Sequence, residues 1–231
     1  MTYKAKNQLG GFYAYNKSIA FNIVTADVYH AFGLRTASDF TAVTLRGFTF
    51  DAGRIVDPNI TSEANTGGKL RIVCNVSHGL VNGDIVTLGN MNNAGHNGAT
   101  VVLLDATNPT TEFIANSIAY VDNAGASSGV VYAPAYLQAS TGSAGIYQAT
   151  FVIDGTASNN AKSWKWELNI GVTPADNIVT QRTTTNTMAS MSSSGHITIA
   201  DGNRIWLSGK NITDTTDYTV TNMNLHLERI S

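Results

Sequence analysis

An all-β fold is predicted for this 231-residue chain by three observations. First, the last third alternates with a period of two. Tyr147, Ala149, Phe151 and Ile153 fall on one side of a strand, and Ile146, Gln148, Thr150 and Val152 fall on the other. The same alternation returns in Trp164, Trp166, Leu168 and Ile170, in Ile197-Thr-Ile199, in Arg204-Ile-Trp-Leu-Ser208, and in Met223, Leu225 and Leu227. Second, 21 glycines, only 4 prolines and recurrent Asn, Ser and Thr suit strands joined by tight polar turns. Third, no apolar face with helical spacing runs beyond about two turns; the region around residues 26–34 is the one short helix candidate.

The elements follow in chain order. Residues 1–18 carry Gly10, Gly11, Phe12, Tyr13 and Tyr15 without sustained periodicity and read as an arm. The arm is too apolar for a free tail and too short for a domain. Phe12, Tyr13 and Tyr15 are therefore its candidates for attachment to a partner surface, ordering as they dock. Residues 19–32 and 41–50 are strand-like, and Gly53 and Pro58 stop the pattern. Short, closely spaced strands then occupy 69–76, 85–88, 99–104, 112–114 and 129–132. The turn at 77–84 places Gly79 and Gly83 where a positive φ costs little, and Asn97-Gly98 signals a tight hairpin. The strands of 19–56 cannot form a core alone. The order therefore reads as an arm (1–18), one domain made of 19–58 and 134–231, and a small β domain (59–133) inserted into it.

Composition narrows the function. Charged residues make up 13% of the chain and the formal net charge is -2, so there is no basic field to hold nucleic acid. No window approaches a membrane span and no apolar run suits a signal peptide, so assembly in a cytoplasm is expected. Cys74 is the single cysteine, which excludes an internal disulfide and a multi-cysteine metal site. His30, His78, His96, His196 and His226 are scattered at spacings unsuited to a metal, and no cofactor is expected.

The runs Gly145-Ile-Tyr-Gln-Ala-Thr-Phe, Trp164-Lys-Trp-Glu-Leu-Asn-Ile, Ser194-Gly-His-Ile-Thr-Ile-Ala-Asp-Gly-Asn-Arg-Ile-Trp-Leu and Leu225-His-Leu-Glu-Arg-Ile resemble the C1q and tumour-necrosis-factor-like jelly roll. Ala144-Gly145 stands where that family has Pro-Gly, and Gly202-Asn203 where it has Gly-Asp. The run His78-Gly-Leu-Val-Asn-Gly-Asp84, the strand Ile85-Val-Thr-Leu88 and the turn Asn97-Gly98 resemble a module common in bacteriophage virion proteins. Together the resemblances imply a C1q/TNF-like jelly-roll sandwich with an inserted small β-barrel-like domain. They also imply a homotrimer in the phage virion, a capsid decoration or head-fibre protein contacting the major capsid protein or a fibre or tail component. The alternative they leave open is a tail-fibre or tail-tip protein that recognises a host surface glycan.

Catalytic chemistry finds little purchase. Gly67-Gly-Lys69 lacks the earlier glycine and the following Ser/Thr of a phosphate loop, and Ser193-Ser194-Gly195 lacks the frame of a nucleophile elbow. His78 and Asp84 read as turn organisers, and the other aspartates sit beside turn formers, so no enzyme activity is expected. Trp164 and Trp166 could stack a sugar, but Leu168 and Ile170 continue their face and favour burial. Ile146, Gln148, Thr150 and Val152 are the candidate subunit interface, because the opposite side of their strand has the bulkier Tyr147 and Phe151 suited to a core.

Overall fold

A computed structural model describes residues 9–15, 17, 19–21, 23, 26–27, 29–31, 41–43, 45–51, 54–56, 60–122, 129–159, 161–184 and 188–231. The strands run β1 (Leu9–Ala14), β2 (Ile19–Phe21), β3 (His30–Ala31), β4 (Thr41–Val43), β5 (Phe48–Asp51), β6 (Arg54–Val56) and β7 (Ile60–Thr66). They continue as β8 (Lys69–Cys74), β9 (Ile85–Gly89), β10 (Gly98–Leu104), β11 (Glu112–Ala119), β12 (Val130–Ala133) and β13 (Tyr136–Ala139). The long ones come last: β14 (Gly145–Ala157), β15 (Ser163–Ile170), β16 (Thr173–Thr183), β17 (Met188–Ile199), β18 (Arg204–Asn211) and β19 (Tyr218–Arg229).

Two antiparallel sheets pack face to face. The first has the order β17-β14-β19-β1-β4, with β2 also on β19; the second has the order β16-β15-β18-β13-β5, with β3 also on β18. The chain passes between the sheets from β13 to β14 and from β14 to β15, stays in the second sheet from β15 to β16, and crosses again into β17, β18 and β19, so that β14 lies beside β17 and β19, and β15 beside β16 and β18. This is the jelly-roll sandwich, in C1q/TNF-like strand order. Alternation dictates its interior: Tyr147, Ala149, Phe151 and Ile153 point inward and are fully buried with Trp164, Trp166 and Leu168 from the facing sheet. Trp164 lies 4.9 Å from the Tyr218 ring and Trp166 4.7 Å from Phe21, so the two tryptophans are core. Trp166 also fits only because Gly209 faces it, where a Cβ would sit 2.7 Å from the indole.

The strands between β5 and β13 form a third sheet, β6-β12-β9-β10-β11-β8-β7, around a core of its own that includes Leu70, Ile72, Val86, Leu88, Val102 and Phe113. β10 turns a corner: its first half, Gly98 to Val101, pairs with β9, and Val102 to Leu104 pair with β11. The chain enters and leaves this sheet as one ribbon. Asp51 faces Tyr136 in the sandwich and, three residues further on each strand, Arg54 faces Ala133 in the third sheet, with no slip of register. At the junction Ile85, Tyr132 and Trp206 are buried against each other. Arg204 locks it, donating from Nη1 to the Gly83 carbonyl at 2.8 Å while its guanidinium lies over the Tyr136 ring.

Several expectations need correction. Residues 9–14 are no arm: β1 is an interior strand of the first sheet between β19 and β4, and Phe12 is fully buried, 5.0 Å from Phe50. In the short helix candidate, His30 and Ala31 form β3, and residues 32–34 lie outside the described residues. Asn97-Gly98 is not a two-residue hairpin. Asn97 has φ -75, where that turn needs a positive value, and its side chain accepts from the Met91 amide at 3.0 Å to close a longer loop with a 3-10 turn at Ala94–His96.

Candidate interaction face

The outward positions of the first sheet form rows across the strands. Gln148 lies between His196 and Glu228, Thr150 between Ser194 and His226, Val152 between Ser192 and Asn224, and Asp154 between Ser190 and Asn222. β1 continues three of them, with Leu9 beside Glu228, Gly11 beside His226 and Tyr13 beside Asn224. Glu228 and Asp154 are the only formal charges in these rows, and none of these positions is a lysine or arginine. The predicted interface residues therefore share an open, nearly neutral face: Ile146 is 40% exposed, and Gln148, Thr150 and Val152 are half-buried. Among the described residues of the sandwich, the large exposed apolar side chains are Tyr13, Tyr15, Leu45, Ile146 and Ile230, and all belong to this sheet or to the residues next to its strands.

The second sheet presents the opposite character. Lys165 and Lys210 lie over the Tyr29 ring at 5.7 and 4.7 Å, and Lys210 pairs with Asp27 at 2.6 Å. Beneath them the Glu167 carboxyl accepts from the Ser208 hydroxyl and is raised above the usual carboxylate range by burial. Asp27 and Tyr29 therefore already cover part of this face.

The predicted attachment residues separate. Phe12 belongs to the core, whereas Tyr13 (38% exposed) and Tyr15 (73%) point outward from β1. The fold brings these two to the strip on β14: with Ala14, Val152, Asp154, Asn222, Met223 and Asn224 they line one groove of about 330 Å³. Residue alternation alone places each of these side chains on a face, but the groove depends on β19 lying between β14 and β1, which no local pattern announces.

The 78–84 motif serves structure. His78 Nδ1 accepts from the Leu80 amide at 3.0 Å and Asp84 from the Val81 amide at 2.9 Å, with Gly79 and Gly83 at positive φ, so this motif is a turn. Burial pushes the Cys74 thiol up to about 12, with Glu112 adding to it, which removes it as a nucleophile. Among the described residues no three His, Cys, Asp or Glu side chains gather as a metal site.

Asp105 is held below the usual carboxylate range by the Thr107 and Asn108 amides, and Asp201 by those of Gly142, Ala144 and Ser143. Asp214 is lowered to about 2 by Lys162 and the Thr216 amide. Their folded values lie below the unfolded 3.8, so the stability they add is complete above that pH and is lost as pH falls through the lowered values, about 2 for Asp214. Glu167 has the opposite sign, favouring the folded state at low pH and losing that contribution as pH rises through its raised value. With three groups against one, the melting temperature is expected to fall on acidification below pH 4, and Asp201→Asn to flatten that fall. A melting temperature unchanged down to pH 2 would show that these carboxylates hold nothing.

No protein-family model and no curated protein matches this chain. Among solved structures the chain is similar to the Eiger tumour necrosis factor of S. frugiperda, at 10% identity and a TM-score of 0.34, covering 80% of this chain and 94% of that one.

Proposed function

We propose that this protein is a non-enzymatic structural component of a bacteriophage particle, a homotrimer that decorates the capsid or forms a head fibre. The open, lysine- and arginine-free face of the first sheet carries the trimer part of the reading. Its edge strand supports it: β17 runs twelve residues with no charge, proline or bulge, features that normally protect a free edge. Among the described residues, side chains cap two carbonyls on its outer edge, Ser190 by Arg182 and His196 by Asn177. Closed cyclic symmetry covers such a face and edge without open-ended growth. The phage assignment is supported by the resemblance of the 78–84 turn and the strand that follows it. Immunogold labelling of purified particles should place the protein on the capsid; particles that contain none of it would refute the assignment.

A second reading, a fibre or tail-tip protein that binds a host surface glycan, has the Tyr13–Tyr15 groove in its favour. Normal particles that lack the protein, carry full DNA and fail to adsorb to cells would favour it.

Within either reading, the third sheet is proposed as a separate inserted unit. Replacing residues 54–133 by a short Gly-Ser turn, with Trp206→Thr to remove the indole that the junction now buries, is expected to leave a soluble oligomer held by the β5–β13 pairing. Recovery of aggregated chain alone would make the third sheet part of the main fold.

A further inference from the structure

Two buried imidazoles of the third sheet accept hydrogen bonds from the backbone. His78 Nδ1 accepts from the Leu80 amide at 3.0 Å, with its ring edge-on to Phe113 at 5.3 Å. His96 Nε2 accepts from the Val121 amide at 2.9 Å, with its ring stacked on Tyr120 at 5.5 Å and its Nδ1 donating to the Glu63 carboxylate. Both rings are buried, that of His96 fully. An imidazolium donates at both nitrogens and accepts at neither, so the charged form of either histidine sets one N–H against another. The bonds at stake hold chain segments in place. The first closes the 78–84 turn ahead of β9. The second fixes the end of β11 to the 90–97 loop, which the Asn92 amide in turn fastens to Glu63 at 3.0 Å. Around the rings, Glu63 faces His96, and Asp122 follows Val121 and takes the Asn93 side-chain amide on its carbonyl. Asp84 accepts from the Val81 amide and faces Arg204, and Glu112, next to Phe113, pairs with Arg71. A proton placed on Glu63 instead would weaken the acceptor that both His96 and the Asn92 amide use.

We propose that the third sheet is an acid-released unit, in which protonation of His78 and His96 opens the 78–84 turn and the corner at Val121 while the sandwich stays folded. The sign follows from counting protons. The closed forms keep each imidazole neutral, and the opened forms take a further proton on each. The open state therefore binds more protons, and opening is favoured as pH falls through the range in which imidazoles in water titrate, by about tenfold per proton and pH unit. In the sandwich, His196 and His226 point outward from the first sheet, where an imidazolium breaks no bond inside the core. His30 stands at the junction, its ring edge-on to Tyr132 at 5.9 Å. The inference depends on neither the trimer nor the phage assignment, so its failure and theirs are separable.

The test is amide hydrogen exchange read by NMR on the full chain between about pH 8 and about pH 5, a window in which Asp105, the lowered carboxylate of this sheet, stays ionised. Protection of the Leu80 and Val121 amides, corrected for the intrinsic effect of pH on exchange, is expected to fall by about tenfold or more relative to that of Phe151. His78→Asn supplies a carboxamide oxygen that can accept from the amide two residues on and does not titrate. That variant should hold Leu80 protection constant with pH and keep the fall at Val121. Unchanged protection at either amide of the natural chain, an equal fall at Phe151, or a fall at Leu80 that persists in His78→Asn would overturn the proposal.

Discussion

Trp166→Ala is expected to lower folding stability by about 3–5 kcal/mol, the range for removing a large aromatic side chain from a packed core. The indole is fully buried, touches Phe21 and Tyr218, and closes over Gly209. Little can move in to fill the gap, because both sheets are pinned by long ladders on either side of it. Urea unfolding at fixed protein concentration measures the effect, since any subunit association makes the midpoint concentration-dependent. A loss below about 1 kcal/mol would mean that the tryptophan strip is a surface feature and the sandwich is packed some other way.

His96→Ala is the second large effect, with a different physical cause. His96 and Glu63 are buried together: His96 Nδ1 faces the Glu63 carboxylate, its Nε2 accepts from the Val121 amide at 2.9 Å, and Glu63 Oε1 accepts from the Asn92 amide at 3.0 Å. The imidazole thus donates at one nitrogen and accepts at the other, tying the loop before β10 and the end of β11 to β7. Alanine would leave a carboxylate buried without its partner, at a cost of about 3–5 kcal/mol. The damage should stay local. Hydrogen exchange is expected to accelerate in β9 and β10 while amides of Tyr147 to Ile153 keep their protection. The double variant Glu63→Leu/His96→Leu should recover most of the loss, because no carboxylate is then left buried without its partner. Equal acceleration across both regions would show that the third sheet and the sandwich unfold as one unit.

How much of this was legible in the sequence depended on whether a strand buries one clean face. β14 was readable residue by residue, and so was the tryptophan strip of β15, because alternate positions carry large apolar side chains. β16 was hidden by an irregularity: Glu167 pairs with Val179 but Asn169 with Pro174, and its buried residues, Ala175 and Ile178, fall three apart. The first half of β17 is serine-rich and buries only Ala189 and Met191 among its described side chains, a weak apolar signal. β1 was mistaken for an arm because Gly10 and Gly11 look like breakers. In the sheet Gly11 is there for proximity, since a Cβ would sit 2.8 Å from the Leu225 carbonyl oxygen. The outward side of β14 was visible, but its meeting with Tyr13 and Tyr15 was not, because register across β19 is a tertiary fact.

The central claim is that the outward face of the first sheet is a subunit interface. Light scattering of the purified chain at micromolar concentration, alongside Thr150→Lys, tests it most directly. Thr150 stands in the middle of the face between Ser194 and His226, where a lysine would bring a charge into the subunit contact with the nearest carboxylate, Glu228, one row away. The expected result is a particle of three times the 24.5 kDa chain mass that Thr150→Lys reduces to folded monomer. A wild-type chain that stays at 24.5 kDa, or a trimer that Thr150→Lys leaves intact, would contradict it.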